Sequence, residues 1–301
     1  MLSSTNLWMG LAGLGYFAAG VFVSRKEIAA ARGAGTRLDK LIALACTFIA
    51  VPLAIFAPEH FVGPQFVQDS VPSYMPWHPF WAHFVGCALL AAATSLTLRK
   101  FIRLSSTLLG IMFLLFVCMI FLPGALSDPK DRFGWAFVLR DLSFSAGGWA
   151  LAGLYSRASS PLQSKWMIVF ARIVLAIAAI YYAIEQFLHP EFAPGVPLEK
   201  ITPAWIPFHS LLGYISGAIL LPAGIGLALN KHARTAAASI GALMTALTLF
   251  PYLLILIADH GAPAADVNEA LNYIADTWLY AGAALALASA LPRNPSHTET
   301  T

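Results

Sequence analysis

Apolar runs of near bilayer-spanning length follow one another almost end to end, at residues 7–23, 41–57, 80–98, 104–122, 135–155, 166–187, 208–229, 236–257 and 270–291. A membrane-crossing helix needs about 20 predominantly apolar residues. The pattern therefore predicts an all-α, polytopic membrane bundle of about nine transmembrane helices. The basic residues between the runs test that count. Arg25, Lys26, Arg32, Arg37 and Lys40 follow the first run, Arg99, Lys100 and Arg103 the third, Arg157 and Lys165 the fifth, Lys231 and Arg234 the seventh, and Arg293 the last. The intervening loops hold Lys130, Arg132 and Lys200, with Arg140 near the start of a run. Because Lys and Arg gather on the cytoplasmic side, this alternation places the N-terminus outside and the tail 292–301 in the cytoplasm. Residues 1–6 carry no basic segment of the kind that opens a secretory signal, so the first run is read as a retained span.

Composition agrees with lipid as the main solvent. Hydrophobic residues make up 58% of the chain and charged ones 11%, against roughly 25% charged in a soluble domain. The formal net charge of +3 is spread over short loops rather than gathered on one stripe, which argues against nucleic acid as a partner. Cys46, Cys87 and Cys118 all fall in apolar runs with no Cys-x-x-Cys spacing, so they read as small core residues rather than a disulfide or redox pair.

The chain also matches itself. Pro72-Ser-Tyr-Met-Pro76-Trp-His78 returns as Pro203-Ala-Trp-Ile-Pro207-Phe-His209, and without a gap Gly86 falls on Gly217, Lys100 on Lys231, Arg103 on Arg234, Gly110 on Gly241 and Asp128 on Asp259. Glu59-His-Phe-Val-Gly-Pro64 answers Glu185-Gln-Phe-Leu-His-Pro190, and Arg140-Asp141 answers Ala275-Asp276. The expected organisation is one helix with its basic loop (1–40), a four-helix unit (41–155) and a second four-helix unit (166–291). An even number of spans per unit gives the copies the same orientation, related by an axis along the membrane normal.

The outer ends of the spans carry most of the acidic residues and six histidines, His60, His78, His83, His189, His209 and His260. The outer segments 58–79 and 189–207 are also long and rich in proline and aromatic residues, whereas the basic loops are short. Ionisable groups at membrane depth are costly unless they face the bundle interior or a wet cavity. Candidate ligand-binding residues are therefore Glu59, Glu185, His78, His209, Arg140, Asp141 and Asp276. Arg140 and Asp141 are neighbours whose side chains leave a helix about 100° apart, so each is expected to find its partner on another helix. The histidines at the starts of spans suit a hydrogen bond to a carbonyl or quinone oxygen. Haem is poorly supported, for no Cys-x-x-Cys-His accompanies them, and the spacing of His78 and His83 does not make a single-helix metal site. Trp77, Trp81, Trp135, Trp205 and Trp278 fit an interfacial aromatic belt, and Arg172 fits a side chain reaching back to the interface. All of these polar residues fit equally well as satisfied structural groups between helices.

Glu185-Gln-Phe-Leu-His-Pro190 and Pro203-Ala-Trp-Ile-Pro-Phe-His209-Ser-Leu-Leu-Gly-Tyr-Ile-Ser-Gly217 resemble the DoxX-like membrane proteins, bacterial four-helix proteins of similar pattern. The likeness covers residues 166–291 and, more weakly, 41–155. It departs at Tyr74 against Trp205 and at His60 against Gln186. The resemblance implies two fused DoxX-like units plus one helix in a bacterial cytoplasmic (inner) membrane. The family takes its name from a subunit of a thiosulfate:quinone oxidoreductase, though the resemblance bears on the fold more than on a reaction. Quinone chemistry needs proton donors beside an apolar slot, which the paired polar sites provide, so the expected function is binding of a quinone or similar amphiphile at an outer-side cavity, beside partner subunits of a redox complex. A noncatalytic assembly subunit and a small-molecule transporter are the alternatives, and whether the chain is an enzyme is left open.

Overall fold

A computed structural model of the chain describes residues 3–34, 37–63, 65–259 and 261–293. His260 and the tail from residue 294 lie outside these described residues. The helices are α1 (Ser4–Ala34), α2 (Arg37–Ile42), α3 (Ala45–Phe56), α4 (Gln65–Asp69), α5 (His78–Leu98), α6 (Ile102–Phe116), α7 (Leu122–Ser127), α8 (Arg132–Ser156), α9 (Pro161–Leu188), α10 (His209–Ala228), α11 (Ala233–Leu247), α12 (Leu253–Ala258) and α13 (Ala264–Ala290). No strand occurs among the described residues beyond a single bridge between Phe192 and Ile201. Among the described residues, six stretches are long and apolar enough to cross a bilayer: Ser4–Ala31, His78–Leu98, Ile102–Ser127, Pro161–Leu188, His209–Ala228 and Ala233–Ala258. The protein is an all-helical bundle of membrane type.

The other three apolar runs of the sequence are also helical, but differ in character. α3 is short and continues as a 3₁₀ turn over Ala57–His60. α8 carries Arg132, Arg140 and Asp141, and α13 carries Asp266, Glu269 and Asp276, which dilutes their hydropathy. These two helices form the centre. From Ala270 onward α13 is almost wholly buried, with α3, α8 and α11 packed around it, while α6 and α9 pack on α8. Helices shielded from lipid by other helices can hold polar groups that a lipid-facing helix could not. Close approach at the centre depends on small residues. A Cβ on Gly147 of α8 would lie 2.7 Å from the Cβ of Ala283 on α13, and one on Gly282 would lie 2.8 Å from the Phe48 backbone of α3.

Two stretches share the same local sequence of features at an offset of 131 residues, the separation of His78 from His209. α5 and α10 both begin after a left-handed residue, Trp77 (φ 60°) and Phe208 (φ 56°). α6 and α11 also follow left-handed residues, Phe101 and His232, and both run into a π-helical turn, Val117–Phe121 and Thr248–Tyr252, before continuing as α7 and α12. A π turn carries one residue more than the α-helix spacing and swings the chain beyond it.

The two ends of the bundle differ. One, the loop-rich end, gathers residues 58–63, 65–77 and 189–208, where Asn6 Nδ2 of α1 donates to the Ala264 carbonyl at 2.8 Å. At the other, the basic end, Arg99 pairs with Glu27 at 3.2 Å and Arg234 with Asp39 at 2.6 Å, tying α5 to α1 and α11 to α2. Arg172 does not simply reach for the interface; it donates to the Leu227 and Ala228 carbonyls and closes the end of α10. The cysteines separate as well. Cys46 is buried, whereas Cys87 and Cys118 are exposed on the outside of the bundle, because their helices present those faces outward rather than to the core.

Candidate functional site

α8 starts at an N-cap whose chemistry fixes it: the Asp131 carboxylate accepts from the backbone N–H groups of Phe133 at 2.9 Å and Gly134 at 3.1 Å. Eight residues, or about 12 Å, into the helix stands Arg140. Its Nε donates to Asp141 Oδ2 at 2.8 Å and its Nη1 donates to Asp276 Oδ2 on α13 at 3.1 Å. Arg140 thus finds the expected partner on another helix, Asp276, whereas Asp141, expected to do the same, pairs with the adjacent Arg140 instead. The arginine is long enough to curl its Nε back onto the next residue while its far end crosses to the facing helix.

The guanidinium is roofed by aromatic rings, with Phe137 centred 4.8 Å and Phe121 5.2 Å from its central carbon. Phe121 closes the first π turn and stacks on Phe137 at 5.9 Å with an interplanar angle of 10°. The unusual turn therefore places one wall of the site. Cation–π contact of this kind stabilises a desolvated guanidinium by about 2 kcal/mol or more.

A ladder on α13 joins this centre to the loop-rich end. Asn268, Asn272 and Asp276 stand at successive steps of four, on one helix face. Both asparagine side chains donate to Oε1 of Glu59, at 2.8 and 2.9 Å. Glu59 is 7% exposed, in the 3₁₀ turn that extends α3. The Oδ1 atoms of Asn268 and Asn272 have no partner among the described residues. Asp141 and Asp276 share one guanidinium and Glu59 meets only the two amides, so the ladder carries two negative charges in excess when all three carboxylates are ionised.

Glu185 takes a different partner. Arg132, in the first turn of α8, donates through Nη1 to Glu185 Oε2 at 2.9 Å and lies 4.1 Å from both the Phe133 and Phe192 rings. Tyr181 and Tyr182 on α9 donate to the Arg132 and Ala136 carbonyls, both at 2.7 Å, and bind α9 along α8. His78 is half-buried at the start of α5, and His209 is exposed at the start of α10. Neither makes a hydrogen bond or ion pair with the ladder among the described residues. His60 is buried, its Nδ1 3.0 Å from the Phe56 carbonyl. Trp278 departs from the aromatic belt: its ring packs edge-on against Phe17 and Phe48, each at 5.5 Å, inside the bundle.

The structure thus brings together Glu59, Arg140, Asp141 and Asp276. It sets Glu185 apart and leaves the two histidines at the starts of separate helices. Sequence reasoning passed over Asn268, Asn272 and Arg132. The first two carried a signal, since an Asn-x-x-x-Asn-x-x-x-Asp run leading into an apolar span is a polar stripe on one face. No group of three or more His, Cys, Asp or Glu residues suited to a metal ion occurs among the described residues.

Comparison with protein-family models, with curated proteins and with solved structures finds no match for this chain.

Proposed function

We propose that the protein crosses a bacterial cytoplasmic membrane nine times, as one helix followed by two DoxX-like four-helix units, and binds a quinone or similar small amphiphile within a membrane redox complex. The alternation of basic loops supports the topology. The shared element bounds at an offset of 131 support the duplication. The observation that carries the functional reading is the ladder from Glu59 to Arg140. A carboxylate pair held on a guanidinium in the membrane interior, with an excess of negative charge, is costly unless protons or a cation offset it. Quinone reduction consumes protons, and the ladder supplies proton-carrying groups between the loop-rich end and the interior. A partner subunit supplies the electrons.

Quinone extraction from protein purified with its native lipids tests this. The expected result is bound quinone in the natural chain and less in Arg140→Gln. Absence of bound quinone together with no binding of added quinone overturns it.

One observation favours a second reading, a noncatalytic assembly subunit. The Arg140–Asp276 pair is closed on itself and joins α8 to α13, which is what a fastening between two halves requires. That reading expects stable co-purification with partner subunits and unchanged electron transfer in Glu59→Gln and Asp276→Asn as well as when His78 and His209 are replaced.

A further inference from the structure

The basic end holds an open cavity of about 630 Å³. Arg99 at the end of α5, Arg234 of α11 and Arg293 just after α13 reach it, with Glu27 of α1, Asp39 of α2 and Tyr155 of α8. Arg99 engages Glu27 through Nη2, which also donates to Ser24 Oγ at 2.8 Å, and Arg234 engages Asp39 through Nη2. A guanidinium has five N–H donors, so single-nitrogen pairing leaves donors for a further acceptor. Arg293 makes no ion pair among the described residues. Three guanidiniums against two carboxylates leave the lining with one positive charge in excess. Ile42, Leu151 and Leu154 give the same cavity an apolar wall.

This cavity has no twin at the offset that relates α5 to α10. Asn230 stands where Arg99 would recur, and α1, which brings Glu27, precedes the first of the matched stretches. The feature belongs to the added helix and to one side of the molecule.

We propose that the cavity binds the phosphodiester head group of an anionic phospholipid. Arg99, Arg234 and Arg293 donate to the phosphate oxygens, Tyr155 adds a hydroxyl donor, and the upper acyl chain follows Ile42, Leu151 and Leu154. A monoanion cancels the single excess charge, whereas a zwitterionic head group brings its own ammonium to the three guanidiniums. The apolar wall favours a lipid over a free anion, because a soluble phosphate leaves it wet. Basic clefts between helices at head-group level recognise anionic lipids by this combination.

Native mass spectrometry of the full chain in detergent, with phosphatidylglycerol and phosphatidylcholine added in equal amounts, tests the assignment. Phosphatidylglycerol is expected to be retained in preference, and its apparent affinity to fall about fivefold in Arg293→Gln. Arg293→Lys, which keeps the charge, is expected to retain most of the binding, and melting curves of both variants confirm that they fold. Equal retention of the two lipids, or unchanged affinity in Arg293→Gln, overturns the site. Displacement of the lipid by inorganic phosphate at the same concentration overturns the lipid assignment.

Discussion

Arg140 Nη1 lies 3.1 Å from Asp276 Oδ2, so one hydrogen-bonded ion pair spans a sequence separation of 136 and fastens α8 to α13 at the centre of the bundle. The two carboxylates on this guanidinium are not equivalent, because Asp141 belongs to the same helix as the arginine and Asp276 does not.

Removing the cation is therefore expected to harm far more than removing one anion. Arg140→Gln leaves two buried carboxylates unpaired and should destabilise by about 3–5 kcal/mol, the usual cost of breaking a buried pair. Asp276→Asn leaves Arg140 paired with Asp141 and reduces the excess negative charge, so its melting temperature should lie much closer to that of the natural chain. Thermal unfolding in detergent ranks the two; the opposite order would show that Asp276 dominates the interaction.

Glu59 separates charge from hydrogen bonding. Glu59→Gln keeps an oxygen to accept from Asn268 and Asn272, so its stability should change by less than about 1 kcal/mol. Glu59→Ala leaves both asparagine amides without their acceptor and should cost about 1–3 kcal/mol. The same melting assay reads both variants.

The helix crossing gives a third outcome. Gly147→Leu drives a side chain into Ala283, where a Cβ alone already comes within 2.7 Å. Overpacking of this kind costs about 1–3 kcal/mol. Gly10→Ala on α1, where a Cβ meets nothing within 4 Å, should be neutral or slightly stabilising.

Topology is read by chemical labelling. In a chain freed of its three cysteines, Gln68→Cys at the loop-rich end should react with an impermeant maleimide in intact cells. Ala158→Cys at the basic end should react only after the membrane is opened. Reversed labelling would invert the proposed orientation.

Hydrophobic periodicity made the helices legible, down to the neighbourhood of Arg140, Asp141 and Asp276, because charges inside apolar runs stand out against their surroundings. It did not show which partner each would take. The contact of Glu59 with Asn268 and Asn272 depends on α3 lying against α13, some 200 residues away in sequence. His78 and His209 show the reverse relation. Their repetition marks corresponding positions at the starts of α5 and α10, and correspondence in sequence is not by itself contact in space. The cavity at the basic end was invisible for a related reason, since its lining comes from α1, α2, α3, α8 and α11 and from the ends of α5 and α13, and its basic residues read simply as loop charges.

The packing order around the centre has a historical meaning. α8 lies on α9, and α13 lies on α3, so under the proposed duplication the closing helix of each unit rests on the opening helix of the other. A solitary ancestor of either unit would have exposed both of those faces, and two copies could have covered them reciprocally. On that proposal, the chain has the form of a homodimer that gene fusion made permanent.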